Sequence, residues 1–240
     1  MKNGQEHPIN SIKPPYFPEA RAVFFDLDKT LISDDSDWLF SLWCLKRHHS
    51  GSLKNLFGVL SLAMGYVGGH LDPLKYENFQ QHRLSRVGHI KYNSQALQFF
   101  KEKGEELIIP LMKDLVDQYK KKGIPTIMIT AQEKILARPF AQAFEVDILL
   151  SNEVQETPGK NSSIYTSKQP FCFAQGKVDL AEEILKNQVA GNLSLADCAF
   201  YSDSINDLPL LEKAGMAGII NPDKKLKKMA KLKGWPSWSC

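Results

Sequence analysis

Five short, unbroken apolar runs set the first constraint on this chain: AVFF from Ala22, IPTIMIT from Ile124, VDILLS from Val146, CAFYS from Cys198 and MAGII from Met216. They are rich in branched and aromatic residues and bounded by polar or glycine-containing segments. That pattern reads as strands buried on both faces, the condition of a parallel sheet covered by helices. Amphipathic stretches lie between them. LMKDLVDQYKKKG closes on lysines and Gly123, which suit a helix C-terminus and mark the stop before the next strand. KVDLAEEILKNQ and NDLPLLEKAG behave alike, so the expected class is α/β with a doubly wound parallel sheet.

One interval breaks the alternation. Between the first run at Phe25 and the second at Ile124 the sequence reads as helices over a length far beyond an ordinary strand-to-helix crossover. Part of it should be an insertion, placed at residues 34–105, with the α/β core at 21–33 and 106–240 and an irregular N-terminal arm at 1–20. A short hairpin is expected around Pro158 to Asn161.

Composition narrows the function classes. Net charge is +3 with 24% charged residues, a balance that suggests neither a nucleic-acid binder nor an acidic-surface protein. The lysines at 224, 225, 227, 228, 231 and 233 read as a solvated helix face, with a phosphate or anionic-lipid contact as the alternative. Cys44, Cys172, Cys198 and Cys240 are far apart and form no CxxC or Cys/His cluster, which fits a reducing compartment. The N-terminus lacks an apolar signal region, and LFGVLSLAMGYVGG from Leu56 falls short of the roughly 20 residues of a spanning helix. A cytoplasmic protein without a transmembrane segment is expected. The Leu56 to Val67 stretch leaves open a weak membrane-surface contact.

The first apolar run leads into five aspartates: Asp26, Asp28, Asp34, Asp35 and Asp37. Side chains at i and i+2 of an extended segment point the same way, so Asp26 and Asp28 can address one site at a strand's carboxyl end. Two such carboxylates can divide a task, one as nucleophile and one moving protons, while Thr30 adds a hydroxyl; helix capping or a surface turn is the plainer alternative. In YSDSINDLPLL, Asp203, Asn206 and Asp207 follow another strand, and hard carboxylate oxygens at this spacing suit Mg²⁺. An acidic cluster converging from two strands is costly without a cation, which favours the metal over simple N-capping. Thr130 ends the second run, where its hydroxyl and nearby amides can meet a phosphate at a helix N-terminus. Lys177 opens a helix against the macrodipole, so an anionic partner is expected, unless it is an ordinary exposed lysine. For Asp34, Asp35 and Asp37, capping of a helix beginning near Trp38 is the leading expectation, because Ser36 and Asp37 directly precede WLFSLWCL; contact with a cationic part of a substrate is the alternative.

Taken in order, FFDLDKTLISDDSDW, IMITAQ, PFCFAQGKV, YSDSINDLPLLE and NPDKKLKKMAKLKGWP resemble the haloacid dehalogenase-like (HAD) superfamily, and more narrowly its phosphoserine-phosphatase-like subfamily IB. The resemblance runs from about Ala22 to Pro236. It implies a Rossmann-like core with an inserted helical cap of the C1 type and phosphoric monoester hydrolysis. Asp26 is implied as the nucleophile that forms an aspartyl-phosphate, Asp28 as general acid and base, and Thr130 and Lys177 as phosphate-binding groups. Mg²⁺ is implied on Asp26, the Asp28 backbone carbonyl and Asp203, with Asn206 and Asp207 supporting its shell. Lys29 stands where many relatives have glycine, and Thr130-Ala131-Gln132 replaces the common Ser-Gly-Gly. Arg83 and Arg86 are the cap candidates for gripping the far end of a substrate. The expected substrate is a small phosphomonoester such as an amino-acid or amino-alcohol phosphate. The alternatives are a lipid-phosphate (phosphatidylglycerophosphate-like) phosphatase and a non-catalytic binding protein on the same core; retention of the whole charged set argues against the latter.

Overall fold

The computed structural model describes residues 13–48, 73–158, 163–189 and 191–240. The five apolar runs form strands β1 (Ala22–Phe25), β2 (Thr126–Glu133), β3 (Ile148–Asn152), β6 (Cys198–Ser202) and β7 (Met216–Ile220). A two-residue strand β8 (Ser237–Trp238), too short to leave an apolar run, completes a six-stranded sheet in the order β3-β2-β1-β6-β7-β8. All its pairings are parallel. The class is α/β, as the pattern of runs required.

Alternate residues of β1 explain why its run is continuously apolar. Val23 and Phe25 join a core on one face with Phe40, Tyr92, Phe99, Met112 and Phe140, whereas Ala22 and Phe24 join a core on the other with Val178, Leu185, Leu210 and Leu226. Each fully buried aromatic or aliphatic side chain contributes roughly 1.5–3 kcal/mol over its exposed state, so neither face tolerates a polar residue.

The strand order reverses beside β1. From β1 the chain steps outward to β2 and β3, then returns to lay β6 along the opposite edge of β1. The carboxyl ends of β1 and β6 therefore border a switch point, where open α/β sheets form a crevice for ligands.

Between β1 and β2 the longer described helices are α1 (Ser36–His48), α2 (Pro73–Val87) and α3 (His89–Phe99), before α4 (Pro110–Lys121). The segments that leave and re-enter the strand layer run side by side. Ser33 N donates to Leu107 O at 2.8 Å and Ile109 N to Leu31 O at 3.1 Å, around an antiparallel bridge between Ile32 and Ile108. Helix α4 ends as its sequence suggested, with Gly123 at φ +68°.

After β3, strands β4 (Val154–Pro158) and β5 (Ser163–Ser167) pair as an antiparallel hairpin. Its turn, at 159–162, lies outside the described residues, as do the Leu56 to Val67 stretch and residues 1–12. Among the described residues no helix is long and apolar enough to cross a membrane. The remaining helices are α5 (Lys134–Phe144), α6 (Gln175–Asn187), α7 (Leu208–Lys213) and α8 (Lys224–Lys233). The lysines of α8 are exposed while Leu226 and Ala230 are buried, which is the solvated-face arrangement.

Candidate active site

Asp26 is the first residue beyond β1. Its amide donates to the Tyr201 carbonyl at 2.9 Å, which carries the pairing with β6 one step past the strand and sets Asp26 beside the Ser202–Asp203 turn. The strand ends earlier than the i, i+2 argument assumed, yet Asp26 remains extended (φ −69°, ψ 161°) and so does Asp28 (φ −68°, ψ 129°). Both line one cavity while Leu27 turns into the core, so the geometry predicted for a strand is kept by the turn after it. Lys29 then adopts φ +57°, the left-handed conformation that suits glycine.

Helix α6 brings Lys177 to the same place. Its ammonium donates to Asp26 Oδ1 at 2.7 Å and to Asp207 Oδ2 at 2.8 Å, and is 2% exposed. The anionic partner expected of a lysine in a first helical turn is thus two carboxylates. Gly176 is required one residue earlier, because a Cβ there would collide with the carbonyl oxygen of Phe171. Asp207 also accepts from Ser202 Oγ at 2.7 Å, so the oxygen expected to support a metal shell is engaged by the lysine and a hydroxyl.

Carboxylates outnumber the cation. Burial pushes the Asp26 carboxyl up to about 6 despite the opposing pull of Lys177. Burial also raises Asp203 well above the usual range, and the charges of Asp26 and Asp207 add to it. Asp28 is raised by its enclosed position, with Asp35 adding, although Ser36 N donates to its Oδ1 at 2.7 Å. Burial works against the charge of Lys177, but Asp207 and Asp26 outweigh it and keep the ammonium protonated. Asp203 Oδ1 and Asn206 Nδ2 are buried without a hydrogen-bond partner. Orphaned buried oxygen beside surplus negative charge fits a divalent cation. Among the described residues no three His, Cys, Asp or Glu side chains form a ready-made metal cluster; a Mg²⁺ site needs only one or two carboxylates, the rest of its shell being carbonyl, water and phosphate oxygens.

Two expectations are corrected. Thr130 is buried within β2, which runs on to Glu133; α5 starts only at Lys134, and its first amides are met by the Glu133 carboxylate, which accepts from Ile135 N at 2.9 Å. A register shift between Ile129 and Glu133 separates Thr130 from the helix, and its hydroxyl accepts from Gln132 N at 3.1 Å. Thr130 therefore lines the cavity without a helix N-terminus behind it. The second concerns α1: the capping expected of Asp34, Asp35 and Asp37 is done by Asp35, and not by the Ser36 and Asp37 on whose position the expectation rested, since Trp38 N donates to Asp35 Oδ1 at 2.8 Å. Asp34 accepts from its neighbour's amide, Asp35 N, at 2.8 Å.

Asp37 does something the sequence did not disclose. It pairs with Arg83 of α2 and accepts from the Tyr76 hydroxyl at 3.0 Å. The Arg83 guanidinium lies over the rings of Phe79, Tyr92 and Phe40 at 5.1, 5.2 and 5.5 Å. Burial opposes its charge, but Asp37 outweighs that and holds it above the usual arginine range. Arg86, the other candidate, is exposed at the end of α2. Gln80 Nε2 of α2 reaches across to the Ala131 carbonyl at 3.0 Å, and Gln132 Nε2 to Ser36 Oγ at 3.0 Å, stitching the helices to the strand ends.

The cavity measures about 80 Å³, room for a few small groups. Its strand-side lining is Asp26, Asp28, Thr130, Lys177, Asn206 and Asp207, and its helix-side lining includes Asp35, Asp37, Trp38, Tyr76 and Phe79. Asp223 also escaped the sequence reading: it caps α8 and accepts from Ile205 N at 2.7 Å, fixing the turn that carries Asp203 and Asn206. An aspartate directly before a helical run was the available signal.

Residues 23–212 match the family model of haloacid dehalogenase-like hydrolases. A Mycobacterium tuberculosis protein named as a probable phosphatase is 30% identical over 227 residues, covering 91% of this chain and 75% of the relative. A histidinol-phosphatase of Neisseria meningitidis is 28% identical over 220 residues, covering 89% and 96%. A solved Bordetella pertussis protein of unknown function superposes at TM-score 0.79 with 26% identity, covering 91% and 98%. A phosphoserine phosphatase bearing a phospho-aspartyl intermediate analogue superposes at 0.60 with 16% identity over 92% and 93%, a likeness of fold. Sequence match, strand order and site together lead to one conclusion: the chain belongs to the haloacid dehalogenase-like hydrolase family.

Proposed function

We propose that this chain is a Mg²⁺-dependent phosphoric monoester hydrolase that cleaves a small phosphomonoester through a covalent aspartyl-phosphate on Asp26. The observation that carries the reading is the Lys177 ammonium held between Asp26 and Asp207 at 2.7 and 2.8 Å, at the carboxyl ends of β1 and β6. A lysine in that position neutralises the nucleophile and then the phosphoryl oxygens that replace its partners.

The Asp26 carboxylate attacks phosphorus, and the ester oxygen leaves with a proton from Asp28. Water deprotonated by Asp28 then attacks the acyl phosphate, returning free Asp26 and inorganic phosphate. The raised Asp28 suits a group that begins protonated, while Lys177 favours ionised Asp26. Thr130 and Lys177 bind the transferring group. Asp26, Asp203 and the backbone carbonyl of Asp28 would hold Mg²⁺, with Asn206 and Asp207 supporting its shell; the cation supplies positive charge to the phosphoryl oxygens.

Residues 34–105 act as a helical cap over a core of 21–33 and 106–240, with 1–20 as an arm. The adjacent exit and return segments at 31–33 and 107–109 support that division, while Phe40, Tyr92 and Phe99 of the insertion share one core with Val23 and Phe25 of the sheet, so any motion is left to the part of the insertion nearest the cavity. Closure would exclude water from the acyl phosphate until the alcohol has left.

The test is phosphate release from a panel of monoesters, with Mg²⁺ or with chelator, comparing the intact chain with Asp26→Ala. Turnover that needs both the metal and Asp26 is the expected result. A folded chain that binds Mg²⁺ but releases phosphate from no monoester, lipid phosphates included, would return the site to a binding role.

A further inference from the structure

We infer that the helix-side wall of the cavity selects a phosphomonoester whose alcohol carries an organic cation and no carboxylate. The inference rests on the phosphatase reading and narrows it to a substrate class.

The wall combines negative charge with aromatic faces. Asp35 and Asp37 line it together with Trp38, Tyr76 and Phe79, and Phe173 faces the same space from the strand side. Carboxylate oxygens beside π-faces attract ammonium and imidazolium groups through charge and ring quadrupole together. Asp35 accepts from the Trp38 amide with Oδ1 and, half-buried, lines the cavity.

A carboxylate on the substrate would find no comparable host. Among the described lining residues Lys177 is the one basic side chain, and its ammonium is held by Asp26 and Asp207. Two cations act on the wall's carboxylates without lining the cavity: Arg83, which is bound to Asp37, and Lys29, whose charge reaches Asp35. Nε and Nη2 of Arg83 are closed off without hydrogen-bond partners while its guanidinium is stacked among Phe40, Phe79 and Tyr92. The pair thus removes from the wall the guanidinium that a carboxylate would need and leaves Asp35 facing it instead. Like charge in an enclosed space then rejects an amino-acid phosphate that an amino-alcohol phosphate of similar size would satisfy.

Initial rates on the intact chain with Mg²⁺ test this, using O-phosphoethanolamine, O-phosphoserine, n-propyl phosphate and p-nitrophenyl phosphate. The kcat/KM for O-phosphoethanolamine should exceed those for O-phosphoserine and n-propyl phosphate by about tenfold or more, the worth of one charge-assisted contact. Asp35→Asn keeps a side chain that caps helices well, so the helix start survives; the preference for the amine over n-propyl phosphate should fall toward unity, chiefly through KM. Asp37→Asn should move the ratio toward O-phosphoserine by freeing Arg83. O-phosphoserine turned over as well as or better than O-phosphoethanolamine by the unaltered chain overturns the inference while leaving the phosphatase standing. An unchanged ratio in Asp35→Asn also overturns it. Release from none of the four esters overturns this inference, while the phosphatase reading falls only if the broader panel, lipid phosphates included, is inert as well.

Discussion

Two buried ion pairs border the same cavity, and they are balanced differently. At the strand ends a single ammonium, Lys177, serves Asp26 and Asp207, while Asp203 lies close enough to feel both carboxylates and keeps one oxygen without a partner. On the helical side Arg83 meets Asp37 one to one, with the Tyr76 hydroxyl on the second oxygen and three rings around the guanidinium. A balanced pair is satisfied by the fold itself, and losing either member leaves an uncompensated charge. A pair with surplus acid is satisfied only when something cationic arrives. On the proposed function, the first arrangement serves structure and selectivity, the second chemistry.

The comparison can be broken by asking what each carboxylate does when removed. The largest effect is expected at Asp26: Asp26→Ala should lower phosphate release by about 10³-fold or more, because without the nucleophile the covalent route is gone. Residual turnover within tenfold of the intact chain would mean that another group attacks phosphorus. Next comes the balanced pair. Asp37→Ala should destabilise the fold by about 3–5 kcal/mol in thermal or urea unfolding, since Arg83 is then buried alone; a loss below about 1 kcal/mol would show that the guanidinium finds water or another partner.

Glu133 gives a pH-dependent test near the junction of the two regions. It is 2% exposed, and burial pushes its carboxyl from 4.5 up to about 7. Between those values the folded chain keeps a proton that the unfolded chain has released, so Glu133 lowers stability as pH rises through the window and adds no further change above it. Glu133→Gln, which keeps an oxygen for the Ile135 amide, should be more stable than the intact chain by on the order of 2 kcal/mol at pH 8 and by little at pH 4. Equal unfolding curves at both pH values would refute the shift. The smallest effect sharpens the contrast of sign: in chelator Asp203→Asn should stabilise by about 1 kcal/mol through relief of like charge, opposite to Asp37→Ala. In return it should abolish the rise in Tm that Mg²⁺ gives the intact chain. A variant that loses stability in chelator would place Asp203 among the structural carboxylates.

Much of the strand-side site was legible because each of its groups sits at the end of an apolar run. Asp26 and Asp203 follow such runs and Thr130 closes one, and buried strands announce themselves by continuous hydrophobicity. Lys177 was legible through its conflict with the helix dipole, which demanded the anion that Asp26 and Asp207 supply. The helix-side wall was not. Asp34, Asp35, Ser36 and Asp37 are adjacent and all able to cap a helix, so composition could not tell which one does. Nor does any local pattern connect Asp37 with Arg83, forty-six positions away.

The sequence by itself determined the layers of this protein, the strand ends at which its charged groups gather and the family to which it belongs, because burial and backbone preference are written residue by residue along the chain. Only the tertiary structure decided which carboxylate caps α1, which one neutralises Arg83, and that Glu133 rather than a bound phosphate meets the first amides of α5. The physical reason is that several chemically equivalent acids compete for each partner, and distance in the fold settles among them what sequence position cannot.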